Sequence, residues 1–179
     1  MRDAFRHLLV SSLSAWLMLH AGGAHAAEPL PEYTVKAGYL YNFAMLTEWP
    51  DDSVQSSLNL CILGPDHFGS ALDSLRGKSV NGHPIVIRFP DSADATHGCH
   101  ILYITEGAPA EVKRLLHGFG AQPMLTVTGD AELAQSGVAI LLRPNGQRLG
   151  FEIDDEAAQR SGLHLSARLL RLAQQREMR

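Results

Sequence analysis

The sequence predicts an α/β domain: a three-layer sandwich on a mostly parallel, Rossmann-like sheet, with a C-terminal β-hairpin plus helices. Two observations lead to this fold class. Short apolar runs alternate with helix-forming segments along the middle of the chain, as is typical of a parallel sheet covered on both faces. Near the end, Pro144-Asn145-Gly146 separates two further apolar runs, which predicts a hairpin.

The individual elements follow from apolar spacing and from the residues that stop each run. A first helix over 33–48 is apolar on most sides, which indicates packing on a sheet. Trp49-Pro50 ends it, because the residue before a proline avoids the helical region. Asp66 caps the next helix. The remaining elements are strands 58–63, 85–89, 100–105, 124–127, 138–142 and 149–153, and helices 66–75, 109–118, 154–160 and 166–176.

The first 26 residues predict a cleaved signal peptide. Arg2 and Arg6 supply a basic start, and 8–19 is apolar but too short to span a bilayer comfortably. Ala24-His25-Ala26 supplies the small residues of a cleavage site, so we expect cleavage before Ala27. A retained membrane anchor is the alternative. The remaining chain, 27–179, has about 153 residues and suits a single domain outside the cytoplasm.

Charge and motifs disfavour several classes of function. Loss of Arg2, Arg6 and Asp3 moves the net charge from −4 to about −5, and an acidic domain lacks the basic face that nucleic-acid binding needs. The chain has no nucleophile elbow, P-loop, dinucleotide fingerprint, zinc-protease motif or C-x-x-C. We therefore expect no enzyme and no cofactor. A hydrolase built on Ser161 and His164 is a weaker alternative, because it lacks a third group.

Cys61 and Cys99 are the two cysteines of the chain, and in an oxidising compartment an isolated pair predicts one disulfide. Cys61 falls in the strand over 58–63, and Cys99 lies just before the strand over 100–105. Such strands are often neighbours in a doubly wound sheet, within the Cα distance that a disulfide spans. Two buried free thiols are the alternative.

Two turns have the residue types of ligand sites, but ordinary structure explains them better. Gly64-Pro65-Asp66 follows a strand, where helix amides can bind anions, yet a single glycine favours a plain capped turn. His97-Gly98-Cys99-His100 contains metal-ligand residue types. A disulfide would remove the thiolate, and two histidines alone need further ligands. We therefore predict no metal site.

The C-terminal segment carries the best candidates for ligand or partner binding. Glu152 lies at the end of a predicted strand, and Arg160, His164 and Arg168 follow at intervals of four, although Gly162 interrupts a single helix. Together they predict a basic, polar site beside an acidic residue, suited to a carboxylate, a phosphate or an acidic patch on a partner. Solvated arginines with a structural ion pair at Glu152 are the alternative.

Three stretches of this chain resemble the YfiR family of small exported proteins from Gram-negative bacteria. They occur in the family's order, and the resemblance covers essentially the whole chain after the signal peptide. The stretches are VKAGYLYNFAMLTEWP, LCILGPDHFG and GFEIDDEAAQRSGLHLSARLLRLA.

The resemblance implies a periplasmic regulator without catalytic activity. In the family's best-known arrangement, the protein binds the periplasmic sensor part of an inner-membrane diguanylate cyclase and represses it, which lowers cyclic di-GMP and biofilm formation. Cys61 and Cys99 match cysteines that the family links, whereas a second family pair has no counterpart in 133–139. Glu152, Arg160 and His164 fall on the C-terminal motif, where the resemblance implies a ligand or regulatory pocket.

Two hypotheses of function follow. The first is a periplasmic repressor of a membrane diguanylate cyclase. The second is a periplasmic sensor module that binds a small anion or nucleotide and acts on a membrane kinase or another partner. The identity of the partner, the activating signal and the contact face stay open, as does the oligomeric state, for which a homodimer is one option.

Overall fold

The computed structural model describes residues 31–50, 52–119, 122–146 and 148–177. The predicted signal peptide lies outside these residues. In the described part of the chain the strands are β1 (Thr47–Glu48), β2 (Leu58–Leu63), β3 (Ser79–Val80), β4 (His83–Arg88), β5 (Ile101–Ile104), β6 (Leu125–Thr128), β7 (Ile140–Asn145), β8 (Arg148–Ile153) and β9 (His164–Leu165). The α-helices are α1 (Glu32–Met45), α2 (Pro109–Gly118), α3 (Ala131–Ala134), α4 (Asp155–Arg160) and α5 (Ala167–Glu177).

The main sheet has the strand order β3-β4-β2-β5-β6-β7-β8. Its five central strands run parallel, while β3 and β8 pair antiparallel at the two edges. Counted along the chain, the parallel strands follow the order 2-1-3-4-5, which is that of flavodoxin-type doubly wound sheets. The order reverses between β2 and β5. The predicted α/β fold class and the C-terminal hairpin are confirmed.

Two separate cores lie on opposite faces of this sheet, which gives the three predicted layers. Alternate residues of β5 contribute to different cores, because successive side chains of a strand point to opposite faces. Ile101 and Tyr103 join the core beneath α1 and α5. Leu102 and Ile104 join the core that also contains Val112 of α2.

The first helix ends three residues earlier than the sequence predicts. It stops at Met45, and Thr47 and Glu48 form β1 instead, paired antiparallel with β9. The Thr47 hydroxyl donates to the Phe43 carbonyl oxygen at 2.8 Å, and the Ser166 backbone amide donates to Leu46 O at 2.9 Å. The chain therefore stops forming helix hydrogen bonds here and pairs with the distant C-terminal segment instead. Local helix propensity cannot predict such a contact.

The predicted helix over 66–75 is also different in the structure. Asp66 caps as expected, but its Oδ1 accepts from the amides of Phe68 at 2.8 Å and Gly69 at 3.1 Å. The regular segment is a 3₁₀-helix over Gly69–Leu75. Leu72 and Leu75 are buried, and their spacing of three residues puts both on one face of a helix with three residues per turn.

The hairpin formed by β3 and β4 was not predicted from the sequence. Asn81 and Gly82 connect these strands with φ values of 51° and 86°, the left-handed pair that a type I′ turn requires. The Asn-Gly dipeptide is the usual sequence signal for this turn. The strand predicted over 85–89 therefore starts earlier, at His83.

The predicted disulfide between Cys61 and Cys99 is confirmed. Their Cα atoms are 5.9 Å apart, and both residues are buried in the core on the α2 face. The bond joins β2 to the residues that lead into β5. Beside it, the His100 amide donates to Asn59 O at 2.9 Å. The start of β5 is thus fixed covalently as well as by hydrogen bonds.

We predict that replacing both cysteines, Cys61→Ala with Cys99→Ala, lowers the free energy of unfolding by about 4 kcal/mol. Without the bond, the unfolded chain is no longer closed into a loop between these residues, so it gains conformational entropy. The two residues are 38 positions apart. Denaturant unfolding of the variant and of the wild type, each with and without reductant, measures the loss. The reductant should affect only the wild type. A loss below about 1 kcal/mol would contradict a stabilising role for the bond.

Candidate functional site

The carboxyl ends of β2 and β5 form the place where doubly wound sheets usually bind ligands. Here this point is closed by contacts within the chain. The Thr105 hydroxyl donates to Leu63 O at 3.0 Å, and a Cβ on Gly64 would collide with Thr105 Oγ1. The Asp66 carboxylate already accepts from the nearby amides of Phe68 and Gly69, so these amides are not free to bind an anion.

Aromatic side chains fill the space beside this closed point. The Phe68 ring lies edge-on to Tyr103 and to Tyr33, with centroid distances of 5.0 Å in both pairs. Phe68 and Tyr103 are 4% and 2% exposed. The crevice that would hold a nucleotide in a typical fold of this topology is therefore occupied by the protein's own core.

A buried lysine lies next to these rings. Lys36 Nζ is 2.6 Å from Glu32 Oε1 and 4.5 Å from the centroid of the Tyr33 ring. A Cβ on Gly129 would lie 2.9 Å from the Tyr103 hydroxyl and 3.3 Å from Lys36 Nζ, so glycine leaves the room that this cluster needs. Lys36, Tyr103 and Gly129 were not singled out from the sequence, since none belongs to a recognisable motif.

Burial and charge act together on the protonation of this cluster. Burial alone would lower the pKa of Lys36, but the hydrogen bond to Glu32, the charges of Tyr103 and Glu32 and the nearby Tyr33 outweigh it, so the pKa is raised. Burial raises the pKa of Tyr103, and the neighbouring Lys36 ammonium opposes this only in part. Both groups therefore hold their protons more tightly than in the unfolded chain.

Glu152 lies on β8 and forms an ion pair with Arg143 of β7, with 2.8 Å between Arg143 Nη2 and Glu152 Oε1. Both side chains are partly exposed. They border a cleft of about 370 Å³, which we call the hairpin groove, and its other lining residues include Leu141 and Ile153. Short side chains of α3, those of Ala131 and Ala134, form part of its wall.

Arg160 lies at the end of α4 and lines a different cleft of about 460 Å³, which we call the Arg160 cleft. Apolar residues Phe119 and Met124 and the polar His117 line the same cleft. Arg160 is 3.9 Å from a carboxylate oxygen of Asp154 and from one of Glu156. Its charge is thus partly balanced, at distances longer than direct hydrogen bonds.

Asp154 connects the two clefts. It lines the hairpin groove, its Oδ2 lies 3.9 Å from Arg160 Nη2, and its Oδ1 accepts from the Ala157 amide at 2.9 Å to cap α4. Asp154 and Arg143 were not predicted as site residues from the sequence. Arg143 could not be identified as the partner of Glu152 before the hairpin register was known. The residue directly opposite Glu152 is Leu141, and Arg143 lies two positions further along β7.

The other two predicted residues lie elsewhere. His164 is exposed on β9, where its residue pairs with Glu48 of β1. Arg168 is exposed in the first turn of α5. Among the described residues, no ion pair or hydrogen bond joins Glu152 to Arg160, His164 or Arg168. The four residues are therefore distributed over two clefts, a short ladder and a helix surface.

The histidine-rich turn before β5 is structural. The Asn59 amide donates to His100 Nδ1 at 2.9 Å, and His100 Nε2 lies 3.0 Å from Ser53 O. Both ring nitrogens of this buried histidine are thus occupied, and Cys99 is in the disulfide. Within the ranges that the structure describes, no three His, Cys, Asp or Glu side chains come close enough to hold a metal ion together.

A comparison with protein-family models identifies the chain. The model described as YfiR/HmsC-like matches residues 33–174, which is more than three quarters of the 179 residues. The chain belongs to the YfiR/HmsC-like family. The family is regulatory rather than catalytic, and membership of it supports a function as a periplasmic regulator of the diguanylate cyclase system. Among the helices in the described residues, none has both the length and the apolar character needed to cross a membrane.

We predict that the protein loses stability above about pH 10, because the unfolded chain releases the Lys36 and Tyr103 protons that the folded protein retains. Below the unfolded pKa values this contribution is complete, and it disappears as the pH rises through the folded values. Tyr103→Phe should make the fall shallower. Urea unfolding at several pH values between about 8 and 11 measures it.

Tyr41→Phe is the matched control, since the Tyr41 ring contacts Lys78 and not Lys36. An equal fall in the wild type and in Tyr103→Phe would show that other groups cause the alkaline loss.

Proposed function

We propose that this protein is exported to the periplasm and represses an inner-membrane diguanylate cyclase by binding its periplasmic sensor part. Membership of the YfiR/HmsC-like family supports this class of function. A protein outside the cytoplasm can change a cytoplasmic product only by biasing a membrane-spanning partner between two states. Lower cyclic di-GMP and less biofilm are the expected consequences.

The hairpin groove is the observation that carries this proposal. It combines apolar side chains, such as Leu141 and Ile153, with the Arg143–Glu152 ion pair at its border. A surface of apolar contacts with a charged rim is the usual composition of a protein–protein interface. Because β7 and β8 pair over six residue positions, the groove lies on a rigid element and needs little ordering upon binding.

The exposed ion pair can contribute specificity to this contact. Glu152 and Arg143 are 38% and 56% exposed, so water screens the pair and its contribution to folding stability is small, about 0–1 kcal/mol. Either charge can therefore exchange its internal partner for one on the cyclase at little cost. Rim charges of this kind steer association and suppress wrong partners.

The Arg160 cleft supports a second candidate function, a sensor for a small anion. In the cleft of about 460 Å³, the apolar Phe119 and Met124 lie beside polar residues and the cationic Arg160, and a concave site that combines apolar and polar groups is where small molecules bind. Asp154 lies between this cleft and the hairpin groove. An anion that draws Arg160 away from Asp154 would change the charge at the groove, and so could set the affinity for a partner.

We predict that Glu152→Gln weakens binding to the cyclase about tenfold, since it removes a charge at the rim of the groove. Membranes are passed over the tagged protein purified from the periplasm, and the bound cyclase is quantified. Glu111→Gln is the matched control, because Glu111 is an exposed carboxylate on α2. In cells, only Glu152→Gln should raise cyclic di-GMP.

Two results would contradict the repressor proposal. One is that no diguanylate cyclase binds the wild-type protein while deletion of its gene leaves cyclic di-GMP unchanged. The other is equal capture of the cyclase by the wild type, Glu152→Gln and Glu111→Gln, which would show that the hairpin groove is not the binding surface.

For the second candidate, we predict that inorganic phosphate or citrate raises the thermal stability of the wild type and not of Arg160→Ala. An anion at 100 times its dissociation constant adds about 2.7 kcal/mol to the free energy of unfolding. Arg114→Ala, at an exposed arginine of α2, controls for the loss of a positive charge. The same shift in all three proteins would contradict binding at Arg160.

A further inference from the structure

The hairpin groove lies where one helical layer of the sandwich ends. On this face of the sheet, α2 and α3 pack against each other, and α3 also packs on β6 and β7. In the described part of the chain, the helices with substantial contacts to β8 are α1 and α5, which belong to the core on the opposite face. The face of β8 beside α3 is therefore left open, and the groove is this opening.

The floor of the groove is apolar and accessible. Leu141 lies opposite Glu152 in the hairpin, so both side chains are on the face away from Leu142 and Phe151, which belong to the core beneath α1 and α5. Leu141 lines the groove and is only partly buried, and among the described residues it belongs to neither core. A partner that covers Leu141 removes apolar area from water, which favours association.

The walls of the groove favour an α-helix over an extended strand as the occupant. Ala131 and Ala134 are three positions apart on α3, so they share one side of that helix, and both line the groove. Their short side chains let the axis of a second helix approach α3 closely. A strand would instead add to the outer edge of β8, where the Tyr39 hydroxyl already donates to Leu149 O at 2.9 Å.

The volume of the groove suits the side chains from one face of a helix. A cavity of about 150 Å³ is large enough for benzene, so a groove of about 370 Å³ accepts about two apolar side chains. An amphipathic helix presents two such anchors one turn apart, at positions i and i+4. Its backbone then lies above α3 and the hairpin, where the helical layer of this face would continue.

The charges around the groove select a basic partner. One arginine, Arg143, lines the groove, whereas five carboxylates line it or are next in the chain to a lining residue. These carboxylates are those of Asp130, Glu132, Glu152, Asp154 and Asp155. Arg160 balances the charge of Asp154 in part, at 3.9 Å. The surplus of negative charge attracts a cationic helix and repels an acidic one.

We propose that the hairpin groove binds a basic amphipathic α-helix. Its apolar side chains contact Leu141, Ala131 and Ala134, and its lysine or arginine residues face Glu152 and Asp154. The inference rests on the proposed repressor function in one respect, since the helix belongs to the periplasmic sensor part of the cyclase. It adds the kind of structure that the groove recognises.

Two synthetic helices of about 18 residues, long enough to form a helix, test this preference. Both have alanine and leucine on one face, and the other face carries lysine in the basic probe and glutamate in the acidic probe. Fluorescence anisotropy of the labelled probes measures their binding to the protein purified after export. The basic probe should bind with saturation and be helical by circular dichroism, and the acidic probe should bind about tenfold more weakly or worse.

Ala131→Arg places the binding in the groove, because the long side chain fills the groove from the α3 side and adds a positive charge. Ala131 is exposed in the first turn of α3, so the fold does not depend on its side chain. The basic probe should bind this variant about tenfold more weakly. Ala110→Arg is the matched control, since Ala110 is an exposed alanine in the first turn of α2, and it should bind the probe as the wild type does.

Competition connects the probe with the cyclase. The basic probe should release a cyclase that the wild type has captured from membranes, and Ala131→Arg should capture less of it than Ala110→Arg. If the probe does not release a captured cyclase, the repressor function stands and the helix inference is wrong. If the probe binds but no cyclase is captured, the repressor function fails and the preference of the groove for a basic helix stands.

Three results with the probes alone would overturn the inference. They are no saturable binding of the basic probe, equal affinity for the basic and acidic probes, and equal binding of the basic probe by the wild type and Ala131→Arg.

Discussion

The burial of β5 on both faces is the constraint on which the rest of this structure depends. All four of its residues are at most 2% exposed, and its side chains alternate between the two cores. Neither core exists unless helices cover both faces of the sheet. The two ends of β5 are fixed differently: the disulfide holds the residues before it, and packing of Tyr103 against Phe68 fills the space near its carboxyl end.

This constraint explains why the position where this fold usually binds a ligand is closed in this protein. A doubly wound sheet leaves a crevice where its strand order reverses, but here Phe68, Tyr103 and Thr105 close it. The side chains that form this closure also complete the core around α1. Candidate interaction sites therefore lie on the late hairpin and on α4, where side chains are only partly needed for packing.

The sequence was informative wherever local chemistry determines structure. Apolar runs predicted β2 and β5, Pro144-Asn145-Gly146 predicted the hairpin of β7 and β8, and the two cysteines predicted their bond. Contacts between distant segments were not predictable in this way. The β1–β9 ladder shortens α1 through residues more than 100 positions away, and the partner of Glu152 depends on hairpin register. Glu152 and Arg160 were chosen by residue type, but their placement in separate clefts required the fold.

Regulation places different demands on a site than catalysis does. A catalytic group must be held against reacting atoms, and its pKa is often shifted by burial. The shifted groups here, the buried Lys36 and Tyr103, interact with each other and with the exposed Glu32, so their shifts report packing. The Arg143–Glu152 pair is exposed and exchangeable, which suits a reversible contact. Asp154 then matters most, because one carboxylate caps α4, borders the hairpin groove and faces Arg160. In the proposed sensor function, a change at the Arg160 cleft would reach the groove through this residue without any rearrangement of the sheet.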